Sequence, residues 1–202
     1  MRYLKYITEI LEYNPFGDRL KNEETLNHIS SILIKECKPF IKEFIKFGRE
    51  DFLYRGTNNK FEYIKKFKSY LEGRKPEETS LDLHNKSNKL FKEIFGWPVR
   101  NGISVTPSQN TANSYGINIC LFFPVGQYEY AYNPNIHDFT VQTKFIDNKK
   151  FEELLKGYTN KNLKKLFSSK GVPEIMFKCK EYYLIKPTLM KIGLKSKLKM
   201  AI

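Results

Sequence analysis

The stretch GISVTPSQNTANSYGINICLFFPVGQYEYAY, residues 102–132, decides the fold. Its apolar residues come in short runs and alternations, not at the three- or four-residue spacing of a helix, and this reads as strands. Strands are expected over residues 102–106, 119–125 and 129–132. Tyr128, Tyr130 and Tyr132 alternate, so they share one sheet face, either as a half-buried aromatic surface or as a base-stacking platform. Between the first two strands, residues 108–115 fit a short helical turn.

Moving towards the C-terminus, residues 139–143 read as a further strand. Two lysine-rich helical pieces follow, over 148–155 and 160–167, and then closing strands over 174–179 and 182–186. Upstream, Leu83, Ser87, Leu90, Phe91 and Ile94 line one face of a helix capped by Thr79 or Ser80 and ended by Gly96-Trp97-Pro98. Residues 57–78 are polar and basic, with room for one short helix, and strand character begins over 51–56. Before that, Leu26, Ile29, Leu33, Cys37, Phe40 and Phe44 fall three or four apart. They belong to a helix that Pro39 kinks or splits and Gly48 stops. A first helix carries Tyr3, Ile7, Ile10 and Leu11 and stops near Asn14-Pro15.

Helices first and short strands afterwards give an α+β class with mainly antiparallel sheets. The 202 residues fit one domain: a helical part over 1–50, a core over 51–187 and a basic tail over 188–202. The tail holds Lys191, Lys195, Lys197 and Lys199 without an acidic residue, the pattern of a solvated, frayed end or of an electrostatic arm.

Hydrophobic residues make up 41%, too many for a disordered chain even with 28% charged residues. Lysine and arginine total 35 against 22 acidic residues, a formal net charge of +13. Such an excess favours a polyanionic partner, although biased codon usage produces the same composition. Cys37, Cys120 and Cys179 sit in apolar stretches without metal or disulfide spacing, which reads as buried thiols in a reducing cytoplasm. No membrane span and no signal peptide is expected. His28, His84 and His137 are scattered, so no metal site is expected; His84, at the edge of its helix's apolar face, is read as packing or hydrogen-bonding. The acidic residues form no clustered set, and a metal-dependent nuclease is disfavoured.

Three segments carry candidate chemistry. Tyr54-Arg55-Gly56 puts an arginine at a strand end beside a glycine that lets backbone approach a ligand. Ser104-Val105-Thr106-Pro107-Ser108 offers hydroxyls just before a short helix. Pro173-Glu174-Ile175 sets a carboxylate at the head of an apolar strand. Arg74 and Arg100 are further phosphate candidates, although both fall in basic loops where solvated charge is the ordinary state.

In that order the segments resemble the Arg–Ser–Glu branch of the ADP-ribosyltransferases, whose fold is shared by toxins and phage-encoded enzymes. The resemblance covers about residues 51–187, with Ala112 and Tyr115-Gly116 behind the middle motif. The stretches Phe95-Gly96-Trp97, Asn101-Gly102 and Phe123-Pro124-Val125-Gly126 also resemble a group of uncharacterised phage proteins. The family resemblance implies a pair of small, mainly antiparallel sheets and NAD as substrate. It implies that Arg55 and Gly56 hold the cofactor's pyrophosphate, and that Ser104 or Thr106 orients the ribose and Glu174. It further implies that Glu174 stabilises positive charge developing on the ribose as nicotinamide leaves, and that Tyr115 or Tyr128 stacks on the nicotinamide. Arginine-modifying members carry Glu or Gln two residues before the catalytic Glu. Val172 stands there in this chain, so an acceptor other than a protein arginine is expected. With the +13 charge, the expected acceptor is a host nucleic acid or a protein associated with it. The alternative is a non-enzymatic basic protein that binds nucleic acid or a host factor.

Overall fold

A computed structural model of the chain describes residues 15–48, 51–74, 76, 79–136, 138–143, 146–168, 172–187 and 193–202, with side chains from residue 23 onward except that of residue 168. The helix expected over residues 3–14, together with His137 and Lys191, lies outside the described residues.

Helix α1 (Pro15–Glu36) and helix α2 (Lys38–Phe44) form one amphipathic unit broken at Cys37, with Pro39 at the start of α2. Proline lacks the N–H that a helix interior requires, so the helix restarts there as expected. The buried side chains Ile29, Leu33, Cys37, Phe40 and Phe44 face the sheets.

Among the described residues seven strands form two antiparallel sheets. The first has the order β1 (Tyr54–Thr57), β4 (Asn118–Pro124), β7 (Glu181–Ile185), β2 (Ile64–Lys68). The second has the order β3 (Ile103–Val105), β6 (Ile175–Lys178), β5 (Glu129–Tyr132). The two are stitched by one isolated pair, in which Tyr54 N donates to Thr106 O at 2.7 Å and Thr106 N to Tyr54 O at 2.9 Å. The main core gathers Phe40, Phe44, Phe122, Phe123 and Phe177, with rings 5.0 to 6.1 Å apart in edge-on, tilted and stacked pairs. Helix α3 (Leu81–Phe95) and helix α6 (Asn148–Lys156) build a second, smaller core on Phe91, Trp97, Phe139, Phe151 and Met176. Ile175 and Phe177 alternate with Met176, so β6 contributes side chains to both cores and divides them.

The start and stop signals of α3 work as read. Ser80 Oγ accepts from Leu83 N at 3.3 Å, and Gly96 ends the helix with φ 77°. Ser108 caps helix α4 (Gln109–Asn113) in the same way, accepting from Thr111 N at 3.2 Å. Gly56 and Gly116 set the distance between β1 and α4. A Cβ on Gly56 would stand 2.0 Å from Ala112 O, and one on Gly116 2.5 Å from the Thr57 backbone. The missing side chain of Gly56 therefore makes room for the protein's own helix, not first for a ligand.

Three expectations change. Residues 139–143 form helix α5 (Phe139–Thr143), not a strand. Asp138 Oδ1 accepts from Val141 N at 3.0 Å, and helical spacing buries Phe139 and Thr143 while leaving Val141 67% exposed. A strand would have put all three on one face. Residues 57–78 contain the edge strand β2 and no helix among the described residues. Its lysines hid it, because β7 supplies the partner and charged side chains are what an edge strand tolerates. The basic tail is not a frayed arm over residues 194–200, which form helix α7 (Leu194–Met200) docked on α1. Leu194 and Leu198 are fully buried, and Lys195 Nζ donates to the Gly48 and Asp51 carbonyls over the Phe44, Phe47 and Phe52 rings. No helix among the described residues is long and apolar enough to cross a membrane.

Candidate functional site

The β3–β6 register builds the site. Ser104 pairs directly with Met176, and Glu174 lies two residues before Met176 on the same face. Ser104 and Glu174 are thus diagonal neighbours, and Ser104 Oγ donates to Glu174 Oε1 at 2.7 Å. On the neighbouring sheet β1 holds Arg55, whose Nη1 donates to Ser104 O at 2.7 Å and whose guanidinium lies 6.0 Å from the centre of the Tyr182 ring. The three residues expected from three distant segments meet at one point.

A fourth joins them. Arg100 stands in a 3₁₀ turn (Val99–Asn101), and its Nη1 donates to Glu174 Oε2 at 2.7 Å. Its guanidinium lies 4.3 Å from the centre of the Phe139 ring. The Arg100 side chain is 13% exposed and that of Glu174 11%, so Arg100 is not the solvated loop charge expected of it. The turn is held by a polar stripe on α3. Asn88 Oδ1 accepts from Arg100 N at 2.8 Å, and His84 Nε2 lies 2.9 Å from Asn101 Oδ1. His84 is a hydrogen-bonding residue, as read, and it also lines the cavity. Arg74 is exposed but positioned, with Nη1 donating to Gly102 O.

These residues surround a cavity of about 400 Å³. Arg55, Arg74, Arg100, Ser104 and Glu174 line it, Gly56 and Thr57 form part of its wall, and Tyr115 stands at its rim, 42% exposed. Two candidates do not belong. Thr106 is buried, pairs with Tyr54 through its backbone, and accepts from Ser108 N at 3.3 Å through Oγ1. Ser104 is accordingly the hydroxyl that meets the carboxylate. Tyr128 packs on Phe40 and donates to Glu43 Oε2 at 2.5 Å, away from the cavity lining. The rings of Tyr128 and Tyr130 lie against Phe177, so the tyrosine ladder is core-facing and not a free platform.

Burial pushes the Glu174 carboxyl up, but the Arg100 charge, the hydrogen bonds from Ser104 and Arg100, and the charge of Arg74 together hold it below the ordinary carboxylate range. Glu174 is therefore ionised at neutral pH. Burial works against the Arg100 charge as well, and the facing carboxylate more than restores it. His84 is pushed down by burial and by the Arg100 and Arg74 charges, and is neutral at pH 7. Three guanidinium groups against Glu174 and Asp138 leave the cavity net cationic. The arrangement offers planar donors for a phosphoanion and one fixed carboxylate beside them. No group of three residues able to hold a metal ion occurs among the described residues.

Arg100 carried a signal in the sequence. The chain has six arginines among its 35 basic residues, and three of the six line this cavity. In a lysine-biased chain an arginine marks a place where a rigid, forked donor is needed. Compared with protein-family models, with curated proteins and with solved structures, the chain matches none.

Proposed function

We propose that this chain is an NAD-dependent mono-ADP-ribosyltransferase of the phage-encoded kind, built as a pair of small sheets in the manner of that family. The observation that carries the reading is the convergence of Arg55, Ser104 and Glu174 on one cavity, with Ser104 Oγ 2.7 Å from Glu174 Oε1. The residues fit the substrate. Arg55, with Arg74 beside it, supplies charge-assisted donors for a pyrophosphate. Glu174 presents an ionised carboxylate to the ribose, and Ser104 fixes its rotamer. Tyr115, 42% exposed in the cavity lining, is the ring that stacks on nicotinamide in this reading.

The bond that breaks joins the ribose carbon to the nicotinamide nitrogen, and nicotinamide leaves with the electron pair. Glu174 lowers the energy of the positive charge that grows on the ribose. The acceptor supplies the electron pair of the new bond and loses its proton. The acceptor is a host macromolecule, a nucleic acid or a protein bound to one. The test is transfer of label from adenylate-labelled NAD into macromolecules of a host lysate. Label that appears with the wild-type chain and disappears with Glu174→Gln supports the reading, and label retained by Glu174→Gln removes Glu174 from it.

One observation favours a second reading. The 2.7 Å contact between Arg100 and Glu174 Oε2 neutralises the carboxylate that the chemistry needs. In a non-enzymatic basic protein, Glu174 would only position Arg100 and the cavity would bind an anion. Anion binding without nicotinamide release would select that reading.

A further inference from the structure

One face of the first sheet links the cavity to the β2 edge. Directly paired residues of an antiparallel sheet lie on one face, and so do residues two apart on a strand. Arg55 pairs with Cys120, Phe122 with Leu184, Leu184 with Lys65, and Tyr182 with Phe67. Arg55, Tyr182, Phe67 and Lys65 are therefore on the same face, running from the cavity to the β2 edge. The loop before β2 adds Phe61.

The rings form a continuous row. Tyr182 stacks on Phe67 at 5.5 Å with the planes 15° apart, and Phe67 meets Phe61 edge-on at 6.1 Å. Each ring carries its own cation: Arg55 at 6.0 Å from Tyr182, Lys65 at 5.4 Å from Phe67, and Lys186 at 6.0 Å from Phe61. Tyr182 is buried beneath the row, 7% exposed, whereas Phe67, Phe61 and Lys186 are half-buried and Lys65 is exposed. No carboxylate forms an ion pair with Lys65 or Lys186 among the described residues. A row of aromatic faces edged by lysines is what a flexible polyanion with flat, stackable groups requires, the bases for the rings and the phosphates for the lysines. A folded acidic protein would use the lysines and leave the rings idle. The overall +13 charge complements the same partner.

We propose that Phe67 and Phe61, backed by the buried Tyr182 and flanked by Arg55, Lys65 and Lys186, form a binding track for single-stranded nucleic acid that leads the strand to the cavity, whose wall runs from Arg55 through Asn59 towards Phe61. That the strand is the ADP-ribose acceptor rests on the transferase reading, whereas the track itself does not. Because Arg55 both lines the cavity and faces Tyr182, it marks the point where track and cavity meet.

The test is fluorescence anisotropy of a fluorescein-labelled oligothymidylate of about 15 nucleotides with the full chain. Lys65→Glu with Lys186→Glu is expected to weaken binding about tenfold or more and to flatten its salt dependence by roughly 0.7 logarithmic units per lost phosphate contact. Phe67→Ala is expected to weaken it about 5- to 100-fold. Lys92→Glu with Lys149→Glu makes the same change of net charge at two exposed lysines on α3 and α6, and is expected to leave affinity within about twofold. The lysine pair keeps the result decisive if Phe67→Ala does not fold. Equal loss in the two lysine pairs would overturn the track, as would no binding of the oligonucleotide, whereas label transferred only to protein would overturn the strand as acceptor. Nicotinamide release is read in parallel. Track-dependent binding without release would defeat the transferase and keep the track, and release without track-dependent binding would do the reverse.

Discussion

Replacing Arg100 by methionine isolates the ion pair at the centre of the site. Methionine keeps an unbranched apolar stem against Phe139 and leaves the Arg100 backbone bond to Asn88 intact, so the change removes mainly the charge. It strands a Glu174 carboxylate whose side chain is 11% exposed, with only the Ser104 hydroxyl still bonded to it. Removing one partner of a buried pair costs about 3 to 5 kcal/mol. The cavity mouth admits water, which puts this case near the lower end, about 3 kcal/mol. For a chain of this size that corresponds to a fall in Tm of about 6 to 12 °C. The pH dependence has a definite sign. In the wild type the Glu174 pKa is held below its unfolded value, so its stabilisation is complete above about pH 4.3 and is lost as pH falls through the folded pKa. In Arg100→Met burial acts without its main opponent, and the folded pKa rises above the unfolded value. The deficit of the variant must therefore be largest at neutral pH and shrink in acid as Glu174 takes up a proton. Adding Glu174→Gln removes the stranded charge while keeping an acceptor for Ser104, and should recover all but about 1 kcal/mol. Thermal denaturation followed by circular dichroism between pH 4 and pH 8 reads all three proteins. A Tm for Arg100→Met within about 2 °C of wild type at pH 7, or a deficit that grows in acid, would refute the reasoning.

Two further outcomes follow from the packing. Gly56→Ala drives a Cβ to 2.0 Å from Ala112 O, so β1 and α4 must separate; the expected cost is about 1 to 3 kcal/mol by urea denaturation, and an unchanged midpoint would contradict the close approach. Lys195→Met leaves the Gly48 and Asp51 carbonyls without their donor, at an expected cost of about 1 to 3 kcal/mol. Hydrogen exchange should quicken first in α7, and protection there equal to wild type would show that Lys195 does not hold the helix.

The parts of the fold legible in the sequence were those governed by local rules. Ser80, one of the two expected caps, and Gly96 bounded their helix at the expected places, a short helix formed within residues 108–115, and Pro39 broke its helix. The apolar runs at Leu121 and Met176 became strands because both faces of their sheets are covered. What escaped was decided by partners distant in sequence. Ile64-Lys65-Lys66-Phe67-Lys68 is a strand only because β7 pairs with it, and the tail is a helix only because α1 and the Phe44, Phe47 and Phe52 rings receive it. In the site, the convergence of Arg55, Ser104 and Glu174 could be read from motif order. The choice of Ser104 over Thr106 could not, since it depends on which hydroxyl the β3 register turns towards Glu174. Arg100 escaped for the same reason, although the scarcity of arginine in a lysine-rich chain pointed to it.

Release of nicotinamide from NAD by the purified full chain, wild type against Glu174→Gln, tests the central claim most directly because it needs no knowledge of the acceptor. The account predicts release by the wild type that falls about 100-fold or more when the carboxylate becomes an amide, since an electrostatic contribution of this kind is worth that much. No release, together with no thermal shift of the wild type on adding NAD, would contradict the account and leave the cavity as an anion-binding site of a non-enzymatic protein.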